Sequence, residues 1–180
     1  SNLSKIIKAD LNPKAIIFDL GLSSFQLADD KRGFSFNSNS NKSFLSMQMG
    51  INKYSACDVV NKLDKASLAN IIKILGEEKD GKRIANKIVK CRAINEIKTP
   101  EELVNIIKSV KKNHKKYKQN PATKTFQALR IFVNMELTEL LTGLIEAAKL
   151  LSKNGILIVV SFHSLEDRIV KYFFNLYSNL

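Results

Sequence analysis

The stretch "ILIVVSFHSLEDRIVK", residues 156–171, runs from an apolar segment into two serines, a histidine, a glutamate and an aspartate crowded between positions 161 and 167. A short, continuous run rich in Ile and Val reads as a strand buried on both faces of a parallel sheet, and the polar cluster then falls at the strand's carboxyl end. The cluster has the composition of a hydrolase triad but not its layout. A nucleophile elbow needs glycines two positions either side of its serine, and Ser161 has Val159 and His163 there. Triad members also come from separate loops, because acid, imidazole and nucleophile must converge in line. "SLED" has a simpler reading: Ser164 is spaced as an N-cap with Asp167 at the third helical position, and Glu166 and Asp167 favour the positive end of a helix. Ile169, Val170, Phe173 and Phe174 supply that helix's apolar face. Ser161 and His163 are left over. His163 suits either a substrate-facing group or a structural histidine bonded to nearby backbone.

"KAIIFDLG" (14–21) is a second apolar run of the same kind, and the chain between the two reads as helical. "TPEELVNIIKSV" has Thr99 as N-cap, Pro100 at the first helical position and Glu102 closing a capping box, with Leu103, Ile106, Ile107 and Val110 on one face. Ser55 and Asp58 repeat the box spacing. Leu68, Ile71, Ile72 and Leu75 form a stripe ending at Gly76, and Ile84, Ile88 and Val89 follow. From about Ala122 to Lys153, Phe126, Leu129, Val133, Leu137, Leu140, Leu144 and Leu151 recur at near-helical spacing, as in a crossover helix that is continuous or broken, until "NG" (154–155) stops it. Strand, long connection, helix and strand is how a parallel sheet is wound, with functional loops at the strands' carboxyl ends. Those ends are "DLGLSS" and "SFHS".

The 180 residues carry a formal net charge of +12. Residues 1–30 hold three Lys against four Asp, residues 31–120 twenty Lys or Arg against eight acids, and residues 121–180 six against five. A neutral frame around a basic middle suggests a scaffold with a module that touches polyanion, although a lysine-dressed helical surface would look the same. Residues 108–119, "KSVKKNHKKYKQ", concentrate six of these lysines with His114 and Tyr117. No apolar run approaches the roughly 20 residues of a bilayer span, and the start lacks the order of a secretory signal, so a cytoplasmic protein without a membrane partner is expected. Cys57 and Cys91 stand apart, without the spacing of a disulfide framework or a thiolate zinc site. With only His114 and His163 to add imidazole, no metal site is expected.

The stretches "IIFDLGLSSFQL", "RGFSF", "GEEKDGKRIANKIV", "NPATKTFQALRIFVNMEL" and "SFHSLEDRIVK" together resemble, in order and spacing, the RsmH (MraW) family of S-adenosylmethionine-dependent ribosomal RNA methyltransferases. The resemblance covers about residues 14–174. It implies methylation of the N4 amine of a cytosine in small-subunit ribosomal RNA, with the RNA or the 30S particle as partner and S-adenosyl-L-methionine as cofactor. It implies an α/β fold, a class I (Rossmann-like) methyltransferase sheet with an inserted all-helical domain. Here that means a partial sheet in a mostly helical chain: residues 1–28 and 121–180 in the methyltransferase domain and 29–120 in the substrate-recognition insert.

Carried over, the resemblance places Asp19, Gly21 and Gln26 in the cofactor pocket. Cytosine's amine is a poor nucleophile, so the site needs hydrogen-bond acceptors that align N4 with the donor methyl rather than strong bases. Asp19, Ser23, Ser24 and His163 are the expected catalytic group. The base must be unstacked, which calls for aromatic and basic groups at the entrance. Lys31, Arg32, Phe34 and Phe36 fit it, and Lys115 and Lys116 fit an RNA-contacting patch. A loop pinned to the core by its phenylalanines and a solvated lysine run are the competing readings. Arg130 and Asn134 interrupt an apolar helix face and are expected site contacts, or a buried polar tie.

Some positions depart from the family pattern. "LSMQMG" puts Ser46, Gln48 and Gly50 where two acids and an arginine are usual, Phe25 replaces a proline, and Asn120 a histidine. No glycine-rich first strand and turn precedes "SNLSK". The expectation is an internal fragment of a longer protein, inactive and without tight S-adenosylmethionine binding by itself. A non-catalytic RNA-binding relative is the alternative.

Overall fold

The computed structural model describes residues 12–23, 32–34, 43–50, 52–111 and 120–177. Within them the chain forms two strands, β1 (Ala15–Asp19) and β2 (Ile156–Val160), and seven helices: α1 (Ala56–Lys62), α2 (Lys65–Leu75), α3 (Gly81–Arg92), α4 (Pro100–Val110), α5 (Thr123–Asn134), α6 (Glu136–Leu150) and α7 (Ser164–Tyr177). The result is mostly helical, with a small parallel sheet. The chain divides into two compact units, Ser23–Asn134 and Ser1–Leu22 with Met135–Leu180.

The helical unit is built on strong local signals. Ser55 and Asp58 close a capping box at the start of α1, and Thr99 and Glu102 close another at α4 with Pro100 in its first turn. Asp64 caps α2 by accepting from the amides of Ala66 and Ser67 at 2.8 and 3.0 Å. Each cap satisfies amides that no helical carbonyl can reach. The apolar stripes then meet: Val60, Leu68, Ile72, Ile84, Ile88, Leu103, Ile107, Leu129 and Ile131 are each below 2% exposed or nearly so. One ion pair is buried among them, Lys111 Nζ to Glu78 Oε2 at 2.5 Å, and Lys111 also donates to the Pro121 carbonyl at 2.7 Å.

In the sheet unit β1 and β2 pair in parallel, with Ala15 opposite Ile156 and Asp19 opposite Val160. The ladder continues past both ends, Ile156 N donating to Lys14 O at 2.9 Å and Leu20 N to Val160 O at 3.1 Å. One face packs on α6 and α7 through Leu140, Leu144, Val170 and Phe173, with Leu157 and Val159 from β2. Gly143 makes the close approach possible, since a β-carbon there would come within 3.0 Å of the Phe18 ring. The expectation of strands covered on both faces is met on this side only. On the other, Ile17 is 66% and Ile156 60% exposed, with Ile158 and Val160 beside them also exposed.

The apolar stretch from Ala122 to Lys153 is not one helix. Met135 adopts φ 52°, ψ 33° between α5 and α6, a left-handed conformation that a helix cannot pass through. The break assigns Phe126, Leu129 and Val133 to the helical unit, and Leu140 and Leu144 to the sheet unit. The compact helical unit runs Ser23–Asn134, where the sequence reading draws the substrate-recognition insert at 29–120.

Candidate functional site

Two loops leave the sheet at the same edge. β1 delivers Asp19, on the bare face with Ile17, and the chain then turns at Gly21 with φ +100°. That conformation suits glycine, and a β-carbon on Gly21 would sit 3.4 Å from the Phe162 ring, so the two loops are neighbours. β2 delivers Ser161, half-buried, then Phe162 and His163.

The start of α7 differs from the sequence reading. Ser164 already lies within the helix, and His163 occupies the cap position, its carbonyl accepting from Asp167 N at 3.1 Å. His163 Nδ1 accepts from Glu166 N at 3.4 Å, and Glu166 Oε2 accepts from Phe162 N at 3.0 Å. The imidazole and the glutamate share the capping work that spacing gave to Ser164. A serine-to-acid interval is visible in a sequence, whereas a histidine cap has no comparable signal. Asp167 turns outward and pairs with Lys171 at 2.8 Å. His163 Nε2 lies 3.2 Å from Glu166 Oε1, and Glu136, at the first position of α6, joins them: three donor atoms fall within 4.8 Å of one another. Asp19 is on the opposite face of the sheet from this helix-side cluster. The sequence reading passed over both glutamates as site residues.

In the helical unit two of the expected RNA contacts, Arg32 and Asn134, bond the loop at residues 43–50. Asn134 uses its whole amide there: Oδ1 accepts from Met49 N at 2.8 Å and Asn52 Nδ2 at 2.6 Å, while Nδ2 donates to Met47 O at 2.8 Å and Arg130 O at 2.9 Å. Arg32 O accepts from Met47 N at 2.7 Å, and its guanidinium reaches Met49 O at 3.4 Å. Met47 is held at φ 55° with its side chain 1% exposed. The departing residues complete the loop with neutral bonds, Ser46 Oγ to Gln48 Oε1 at 3.0 Å and Gln48 Nε2 to Asn52 O at 2.8 Å. Phe34 is buried, the arrangement of a loop pinned to the core rather than of an exposed stacking platform. Arg130 is half-buried on α5, and Ser23 is exposed at the first position of this unit. Ser24, Gln26, Lys31, Phe36, Lys115 and Lys116 lie outside the described residues.

The two strands are parallel and joined through a helical segment, with an acid at one carboxyl-edge loop and an imidazole at the other, the edge at which parallel sheets ordinarily hold their ligands. The family model described as the MraW methylase family matches residues 1–180. A protein named ribosomal RNA small subunit methyltransferase H from Sinorhizobium fredii is 49% identical over 159 residues, covering 88% of this chain and 46% of that protein. Proteins of the same name from Ehrlichia ruminantium and Caldicellulosiruptor saccharolyticus are 46% and 48% identical, covering 89% and 98% of this chain and 53% and 55% of theirs. The chain belongs to the MraW methylase family. It spans about half the length of these relatives. No helix among the described residues is long and apolar enough to cross a membrane.

Proposed function

We propose that this chain is the part of a small-subunit ribosomal RNA methyltransferase that presents the target base, in a protein that methylates the N4 amine of a cytosine with S-adenosyl-L-methionine. The observation that carries the reading is the pairing of an exposed Asp19 with the side-chain-free Gly21 on a strand-end loop, in a chain nearly half identical to proteins bearing that name. The strands are neighbours in a larger class I sheet, into which the helical unit is inserted. The bare face with Ile17, Ile156 and Ile158 supports this, because apolar strands of parallel sheets are ordinarily covered on both sides.

The loop residues fit one edge of the cofactor. Gly21 lets the backbone approach it, and Asp19 offers a carboxylate to its hydrogen-bond donors. When bound, the cofactor supplies a methyl group on a positively charged sulfur, so no metal is called for in the transfer. Asp19, with Ser23 and Ser24, accepts hydrogen bonds from the cytosine amine and holds it in line, and the amine's proton leaves by these acceptors or water. His163 supports the same edge from the helix side. Asn134 and Arg32 act as positioning groups that shape the 43–50 loop. The lysines of residues 108–119 supply phosphate contacts whose strength falls with salt. A soluble, cytoplasmic protein acting on the 30S particle fits this chemistry.

The test is methyl transfer from labelled S-adenosylmethionine to small-subunit RNA by the longer protein, wild type against Asp19→Ala. A loss on the order of 10²–10³ is expected for the variant, the cost of removing one pre-aligned polar partner of the reacting group. Equal activity in both removes Asp19 from the site. A longer wild-type protein that binds the RNA and transfers no methyl group favours the non-catalytic reading, to which the neutral Ser46–Gln48 loop also points.

A further inference from the structure

We infer that Glu136, His163 and Glu166 form a binding site for one divalent transition-metal ion, which ties the start of α6 to the start of α7 and takes no part in methyl transfer. The residues come from two elements of the sheet unit: Glu136 opens α6, and His163 and Glu166 sit at the cap and first turn of α7. Their donor atoms lie within 4.8 Å of one another, and the Glu166 and His163 side chains are 5% and 12% exposed.

Acids at helix starts are ordinary, since they favour the positive helix end. The imidazole is what that explanation does not cover. Its Nε2 is buried and makes no hydrogen bond to the described residues, although Glu166 Oε1 is only 3.2 Å away. The two atoms are side by side instead of aligned donor to acceptor. Two ligands about 2.1–2.2 Å from a shared ion and 3.2 Å from each other subtend roughly 95° at it, close to a cis angle in octahedral coordination. A shared water, about 2.8 Å from each, would need an angle of roughly 70°, too acute for its hydrogen bonds. The spacing thus favours an ion over a water. Two hard carboxylates with one imidazole suit manganese or zinc better than magnesium or copper(I).

Ligation through Nε2 requires the ring proton on Nδ1, where Glu166 N now points at 3.4 Å. That contact is at the outer limit of a hydrogen bond, so the exchange gives up little and leaves a signature in the tautomer. The Glu166 Oε2 contact to Phe162 N at 3.0 Å persists and orients the carboxylate as an outer-shell bond does in metal sites.

The experiment titrates Mn²⁺ into the metal-stripped 180-residue chain. Mn²⁺ is the better probe because Cys91 is a partly exposed free thiol that would compete for Zn²⁺. Electron paramagnetic resonance should show saturable binding of one ion per chain. In the nuclear magnetic resonance spectrum the ring signals of His163 should broaden well before those of His114. His163→Ala and Glu136→Gln should each weaken binding about tenfold or more, with helical circular dichroism retained. His114→Ala should bind as wild type. Absence of saturable binding overturns the inference. So does broadening of His114 first, or unchanged affinity in both Glu136→Gln and His163→Ala. Every one of these outcomes is a reading of metal binding and none a reading of methyl transfer, so a failure here is distinguishable from a failure of Asp19→Ala in the transfer assay.

Discussion

The helical unit closes its own core, and the sheet unit does not. Of the large side chains below 2% exposure among the described residues, Leu144 alone lies in the sheet unit; Leu45, Met47, Leu68, Ile72, Ile84, Ile88, Leu103, Ile107, Leu129 and Ile131 belong to the helical one. The helical unit packs stripes from several helices around a common centre. The sheet unit has two strands with a helical layer on one side and exposed isoleucines on the other. A unit that buries the stripes of several helices against one another is covered by its own residues, whereas a sheet with helices on one side keeps an apolar face in reserve for a further layer.

The largest difference between the units is expected at the buried Lys111–Glu78 pair. Lys111→Met leaves the Glu78 carboxylate buried and should cost about 3–5 kcal/mol, read in chemical unfolding followed by amide exchange. Only amides of the helical unit should lose protection. Adding Glu78→Leu should return much of the loss, because an apolar pair of similar volume is tolerated where a lone charge is not. Equal loss of protection in β1 and β2 would mean the units are not independent.

Core truncation sharpens the contrast. Leu129→Ala and Leu144→Ala remove the same atoms from fully buried sites in the two units. Each should cost about 2–5 kcal/mol in the unit that holds it, the spread depending on how far the site collapses. The half-open sheet unit can relax more, so Leu144→Ala is expected at the lower end. A larger loss for Leu144→Ala than for Leu129→Ala would reverse the ranking.

The smallest effect concerns the caps. Ser55→Ala should cost about 1 kcal/mol in thermal unfolding, confined to the helical unit. Its partner Asp58 has a carboxyl held well below the usual range, first by Lys62 at 2.6 Å and then by the Ser55 hydroxyl and amide. A depressed acid contributes stability above its unfolded value near about 4 and loses it as pH falls through the folded value. The gap between wild type and Asp58→Asn should therefore be constant at neutral pH and close only in strongly acid solution. A gap that closes by about pH 5 would contradict the depressed carboxyl.

Much of the architecture is legible from residue spacing. Both capping boxes and the α2 stripe follow from nearest-neighbour chemistry, because the partners lie within four residues of each other, and the two strands are marked as apolar runs although they pair across most of the chain, Ala15 with Ile156. The candidate site is legible only in part. Asp19 and His163 are marked by their position just past apolar runs. The His163 cap, the buried side chain of Phe34 and the three long-range bonds of Asn134 are not marked. Asn134 bonds residues 82 to 87 positions away, and spacing carries no information at that range.

The sequence by itself determined the helices, the strands, the family and the placing of the basic middle, since these rest on local periodicity, capping and composition. Tertiary structure alone decided where the units divide, because the apolar stripe continues unbroken past Met135 while the backbone there turns left-handed. It also decided that Glu136 meets Glu166 and His163, and that one sheet face stays open. Each of these depends on which surfaces find partners in space, a property of the folded chain rather than of neighbouring residues.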